Sequence, residues 1–224
     1  MMADLYCRIH SLAPPPHCAG LQPAGRVVAA LESLFKKLLE HPRHTTPSTF
    51  QTAAPAVDLL RSLCVEGLRA DLATNPPVHL LVVDNDPLAC RAIAGGLQLA
   101  FGRPDSAADG EAALALARQK TFDVIFMDVQ MPGMDGLTAC ARIHETAANR
   151  QTPVVFVTKH TDAEARLASH QCGGSDFITK PFLCSELTLK ALTFTLRRRL
   201  QKLELAEGGP VPGGVKDACL VGAP

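Results

Sequence analysis

The chain carries no net charge: 22 lysines and arginines offset 22 aspartates and glutamates over 224 residues. That balance removes the electrostatic reason to expect a nucleic acid or an anionic membrane as partner. It also lacks any uncharged apolar run near the ~18 residues that a membrane span requires. Met1 to Leu12 is interrupted by Asp4, Arg8 and His10, so it has no apolar segment of the kind that directs secretion. The 8 cysteines, at 7, 18, 64, 90, 140, 172, 184 and 219, include no CxxC pair. Disulfide frameworks belong to short secreted chains, so reduced thiols in a cytoplasmic protein are expected. Cys7, His10, His17 and Cys18 fit no zinc-ligand spacing. Only 24 residues follow Leu200, so no recognisable output domain is expected after it.

What is present is a globular composition, 47% hydrophobic and 20% charged, with room for one domain of ~120 residues and something smaller. Residues 1–75 show helical periodicity: Val27, Val28, Leu31, Leu34, Phe35, Leu38 and Leu39 form one stripe, and Ala56, Leu59, Leu60, Leu63, Cys64 and Leu68 another. The stretch from His41 to Thr49 separates them, and Asn75-Pro76-Pro77 starts a linker assigned to 76–78. Beyond it, short apolar runs alternate with amphipathic stretches, the pattern of βα units on a parallel sheet. Strands are expected near 79–83, 103–107, 122–127, 153–157 and 176–179. Helices are expected near 87–100, 110–119, 135–146, 162–171 and 184–203, and a glycine- and proline-rich disordered tail over 204–224. Asp86 before Pro87 is a helix start, with a side-chain cap and then a proline whose missing N–H costs nothing.

The chemistry lies at strand ends. Asp128 closes the apolar run from Phe122 to Met127 and precedes a Pro/Gly turn. Open α/β sheets place their sites at such carboxyl edges. Val82-Val83-Asp84-Asn85-Asp86, Phe156-Val157-Thr158 and Ile178-Thr179-Lys180-Pro181 end in the same way. Acids, a hydroxyl and a lysine converging on one carboxylate suit a phosphoryl group held there with a divalent cation.

These residues carry a resemblance. Val82-Val83-Asp84, Met127-Asp128-Val129-Gln130-Met131-Pro132-Gly133-Met134-Asp135-Gly136, Val157-Thr158 and Lys180-Pro181-Phe182 resemble the receiver domain of two-component response regulators over about 78–200. The resemblance implies a flavodoxin-like, doubly wound (βα)5 domain, here 79–203. It would accept phosphate from a sensor histidine kinase or a histidine phosphotransfer protein and signal to a downstream protein by contact, catalysing only its own phosphorylation. It further implies Asp128 as phosphoacceptor, Thr158 and Lys180 on the phosphoryl oxygens, Phe177 as an aromatic switch and a cis bond before Pro181. A Mg²⁺ ion would be held by Asp84, Asn85, Asp128 and the backbone carbonyl of Gln130. Asn85 departs from the family, which usually has a second acid there; the neutral amide predicts weaker Mg²⁺ binding and slower phosphoryl transfer.

The first region resembles a truncated, degenerate histidine phosphotransfer bundle. His10 would be its phosphohistidine, but Ala13 and Pro14 stand where that family has lysine and glycine. Two other readings stay open. A phosphorylation-independent pseudo-receiver would follow from lost metal binding at Asn85. Asp84-Asn85-Asp86 also resembles the DxD of haloacid-dehalogenase-type phosphatases, with Asp84 as nucleophile. Arg197-Arg198-Arg199 is expected as the solvated end of a long helix.

Overall fold

The computed structural model describes residues 2–11, 22–65, 77–159 and 171–207. Helices α1 (Met2–Ser11), α2 (Gln22–Glu40) and α3 (Pro47–Val65) come first, with a 3-10 turn at Pro42–His44. Next come β1 (Leu80–Val83), α4 (Pro87–Phe101), β2 (Asp105–Ala107), α5 (Gly110–Gln119), β3 (Val124–Met127) and α6 (Gly136–Glu145). β4 (Val154–Thr158), β5 (Asp176–Thr179) and the long α7 (Cys184–Glu207) complete the described elements. The expected helix at 162–171, apart from its last residue, and most of the expected tail lie outside the described residues. Positions 204–207, assigned to that tail, instead continue α7. The third expected sheet-region helix begins one residue later than its periodicity suggested, because Asp135 is its cap and not its first turn: the carboxylate accepts from the Thr138 N–H at 2.7 Å.

The five strands form one parallel sheet in the order β2-β1-β3-β4-β5. Its strands are apolar runs because both faces are covered. Leu81, Val83, Ile125, Met127, Val154 and Phe156 pack into one core with α5 and α6. The alternate residues Leu80, Val82, Val124, Phe126, Val155 and Val157 pack into another with α4 and α7.

α7 serves two cores. Leu187 and Ala191 face the sheet, while Leu189, Leu192, Leu196 and Leu200 recur at helical spacing on another side and pack against α1–α3. A third core results, in which Val27, Leu31, Leu34 and Leu38 of α2 and Ala56, Leu59 and Leu63 of α3 close over the sheet region's last helix. Polar contacts reinforce it. Arg26 lies over the Phe101 ring, 5.4 Å from its centroid, and donates to the Ala100 carbonyl at the end of α4.

The three arginines differ from expectation for the same reason. Because α7 runs on to Glu207, they lie in its interior, and consecutive residues point in different directions. Arg197 donates to the Pro55 carbonyl of α3 at 2.7 Å, Arg198 to the Phe122 carbonyl at 3.1 Å, and Arg199 is within 4.0 Å of the Asp123 carboxylate. No helix among the described residues is long and apolar enough to cross a membrane.

Candidate functional site

Sheet register builds the site. Val83 pairs with Met127, so the next residues, Asp84 and Asp128, leave adjacent strands side by side. The Asp128 N–H continues the ladder to the Val83 carbonyl at 2.8 Å. On the other side Thr158 pairs with Thr179, and the Lys180 N–H reaches the Thr158 carbonyl at 2.8 Å. Lys180 therefore starts beside Thr158 and extends across the rim. Its Nζ donates to Asp84 Oδ2 and to Asp128 Oδ2, each at 2.7 Å.

All three side chains are largely shielded: Lys180 is 12% exposed, Asp128 14% and Asp84 0%. Burial works against the charge on Lys180, but hydrogen bonds and attraction from Asp128 and Asp84 outweigh it and hold the ammonium above the usual lysine range. Backbone N–H groups take the remaining carboxylate oxygens. Asp86 donates to Asp84 Oδ1 at 2.9 Å, and Gln130 donates to Asp128 Oδ1 at 3.4 Å. Asp86 uses its own carboxylate to cap α4, accepting from Leu88 at 2.9 Å. Asn85 is exposed next to them. A cleft of about 870 Å³ opens beside this edge, lined by Asp84, Asn85, Pro87, Arg91, Arg103 and Ser106 among others.

Thr158 is buried at the same rim. Phe177 is buried in the core shared with α5 and α6, and its carbonyl accepts from Ser48 of α3 at 3.3 Å. The Lys180-Pro181 bond is cis. His10 lies elsewhere, exposed on α1 with Nδ1 2.7 Å from Glu32 Oε1. Among the described residues no group of three or more His, Cys, Asp or Glu gathers as a metal site, so a cation at the rim would rely on Asp84 and Asp128 plus neutral oxygens.

Gly136 is a site residue that the motif contained but whose role required coordinates. A Cβ there would lie 2.0 Å from the Asp128 carbonyl oxygen. The turn after Asp128 folds back so closely, with the Gly136 N–H on the Val129 carbonyl at 2.9 Å, that only glycine fits.

The model of the response regulator receiver domain matches residues 80–192, just over half of the chain. This chain belongs to the response regulator receiver family. Its receiver is 35% identical over 126 residues to the probable transcriptional regulatory protein TcrX of Mycobacterium tuberculosis, covering 56% of this chain and 53% of TcrX. Against response regulator PleD of Caulobacter vibrioides identity is 37% over 103 residues, 46% of this chain and 23% of PleD. The chain thus spans about half the length of one relative and under a quarter of the other. The receiver also superposes on the receiver domain of sensor histidine kinase PA1611 from Pseudomonas aeruginosa PAO1, which has a magnesium ion coordinated in its active site cleft. That match has a TM-score of 0.50 and 27% identity, covering 53% of this chain and 97% of that one.

Proposed function

We propose that this receiver takes a phosphoryl group from the phosphohistidine of a sensor kinase or phosphotransfer protein onto Asp128, in a Mg²⁺-dependent step. The observation that carries the reading is the shared lysine: one ammonium lies 2.7 Å from both the Asp84 and the Asp128 carboxylates. A carboxylate oxygen of Asp128 attacks phosphorus, the N–P bond of the donor breaks, and imidazole leaves as the acyl phosphate forms. Nucleophile and phosphoryl group are both anionic, so the work is positioning and neutralisation. Lys180 supplies a fixed positive charge to a phosphoryl oxygen, and the Thr158 hydroxyl offers another oxygen a donor.

The donor set suits Mg²⁺, which prefers hard oxygens and few carboxylates. Asp84, Asn85, Asp128 and the Gln130 carbonyl would hold it. When bound, it neutralises charge as the phosphoryl group approaches. Asn85 makes the set one charge poorer than two consecutive acids would, so weaker Mg²⁺ binding is part of this proposal.

The signal would leave by protein contact, and part of the outgoing surface is taken up in cis, because α2 and α3 cover the outer side of α7 and Ser48 bonds the Phe177 carbonyl. The first listener to a change at Phe177 is thus α3 of the same chain. His10 is not needed for this reading; it sits on α1 with Nδ1 2.7 Å from Glu32 Oε1.

Incubation with a small-molecule phosphodonor across a Mg²⁺ titration, followed by mapping of the acyl phosphate, tests this. Label on Asp128 that rises with Mg²⁺ and vanishes in Asp128→Asn is the expected result. Label on Asp84 would reassign the chain to phosphatase-like chemistry. No label at any Mg²⁺ concentration, with partner binding indifferent to Asp128→Asn, would make it a pseudo-receiver.

A further inference from the structure

On the sheet face away from α7, two cysteines far apart in sequence come together. Cys140 is fully buried on α6, and Cys172 is half-buried in the turn that leads into β5. The pair meets where the Cys140 Sγ–H donates to the Cys172 carbonyl, 3.4 Å away. Neither belongs to a disulfide.

A third group completes the cluster. His144, one helical turn beyond Cys140, holds Nε2 2.9 Å from the Thr152 carbonyl. A carbonyl only accepts, so Nε2 carries the proton. In the neutral ring Nδ1 is then an acceptor, and it lies 3.9 Å from Cys140 Sγ. Gly173 lets the turn approach this ring. Its φ is +89°, and a Cβ there would come within 2.7 Å of His144 Nδ1. The arrangement thus depends on a glycine in the left-handed region immediately after Cys172.

We propose that Cys140 and Cys172 form a peroxide-responsive dithiol, in which Cys172 attacks, Cys140 resolves, and a disulfide closes between α6 and the turn into β5. The accessible sulfur is the one that must meet the oxidant, and the buried sulfur lies against the backbone of that same residue. The Cys140 hydrogen bond, helped by the Gly174 N–H, brings the Cys172 thiol down to about 7 against burial and nearby Asp135, while the same contact and burial push Cys140 up. Cys172 is therefore the thiolate of the pair, as the geometry requires.

The chemistry balances. The Cys172 thiolate attacks one oxygen of a hydroperoxide; an S–O bond forms, the O–O bond breaks, and the leaving oxygen takes a proton to depart as alcohol or water. Cys140 sulfur then attacks Cys172 sulfur. An S–S bond forms, hydroxide leaves from the sulfenic acid, and the Cys140 proton, relayed by His144 Nδ1, converts it to water. The dithiol loses two electrons and the hydroperoxide gains them. The new bond would tether the turn five residues ahead of Phe177.

The test uses the full chain at pH 7 with stoichiometric hydrogen peroxide. The sample is quenched by alkylation, digested without reduction and mapped by mass spectrometry. A linked Cys140–Cys172 peptide is expected as the main intramolecular product, removed by dithiothreitol. Cys172→Ser should abolish it and protect Cys140; Cys140→Ala should leave a Cys172 sulfenic acid that dimedone traps. Far-UV circular dichroism verifies that each variant is folded. Alkylation of unoxidised protein should titrate with a midpoint near 7 for Cys172, against about 8.5 for a free thiol. Recovery of both residues as thiols while exposed Cys7 and Cys184 oxidise would overturn the proposal. So would a Cys172 midpoint no lower than the ~8.5 of a free thiol.

Discussion

Two acidic residues in this protein are almost fully buried, Asp84 at the sheet rim and Glu186 at the junction of α7 with α3. Their surroundings differ in kind. Asp84 has an ammonium at 2.7 Å and a backbone N–H at 2.9 Å. Glu186 accepts from two hydroxyls of α3, Ser48 at 2.5 Å and Thr52 at 3.3 Å. Burial pushes the Glu186 carboxyl above its usual range, and the hydroxyls together with the charge of Lys190 only partly oppose that. At the rim a carboxylate is matched by an ammonium, as phosphoryl chemistry demands; at the junction a carboxyl is held mainly by neutral donors, which serves docking.

Four experiments sharpen or break this contrast. The largest effect should come from Gly136→Ala, which puts a methyl 2.0 Å from the Asp128 carbonyl. The backbone behind the rim must shift, costing about 3 kcal/mol, the upper end of ordinary overpacking. Chemical denaturation would measure it; a loss under about 1 kcal/mol would mean the turn is softer than its geometry suggests. Leu196→Ala, on the stripe of α7 that faces α2 and α3, should cost about 2–3 kcal/mol. Heat should unfold sheet and helices in one transition at a lower temperature, and two separable transitions would show that the junction does not couple them.

Asn85→Asp acts on the rim alone. One added carboxylate should tighten Mg²⁺ binding about tenfold, or about 1.4 kcal/mol, read by calorimetric titration of unphosphorylated protein. Unchanged affinity would assign the binding to Asp84 and Asp128 by themselves. The smallest effect, and one whose size varies with pH, belongs to Glu186→Gln. The native carboxyl takes up its proton at higher pH than in the unfolded chain. Its contribution is therefore complete below the unfolded value and is lost as pH rises through the folded one. Wild type should gain stability over the variant as pH falls from 7 toward 5; a constant difference would remove the argument for a raised Glu186.

The rim was largely legible because strand ends advertise themselves. An apolar run followed by Asp84, Asp128, Thr158 or Lys180 fixes both the element and the edge, and parallel register then brings the four to one rim. The Asp86 cap was readable from Pro87 alone. The junction was not, since Ser48 and Glu186 are 138 residues apart and nothing in either segment says which helix faces which. Two apolar stripes on α7, one through Leu187 and Ala191 and one through Leu189, Leu192, Leu196 and Leu200, were the available signal. Periodicity found the helix but not its second face. The same gap made Arg197–Arg199 look like a solvated end, and it hid Gly136, whose importance depends on an approach measurable only in three dimensions.

The double duty of α7 has a practical consequence for anyone dissecting this protein. A fragment trimmed to the family boundaries near residue 80 would strip away the cover and leave four leucines of one helix naked to water. Such an excised piece would tend to self-associate or precipitate, and its binding behaviour would report that sticky flank. The smallest well-behaved unit should begin upstream of α2.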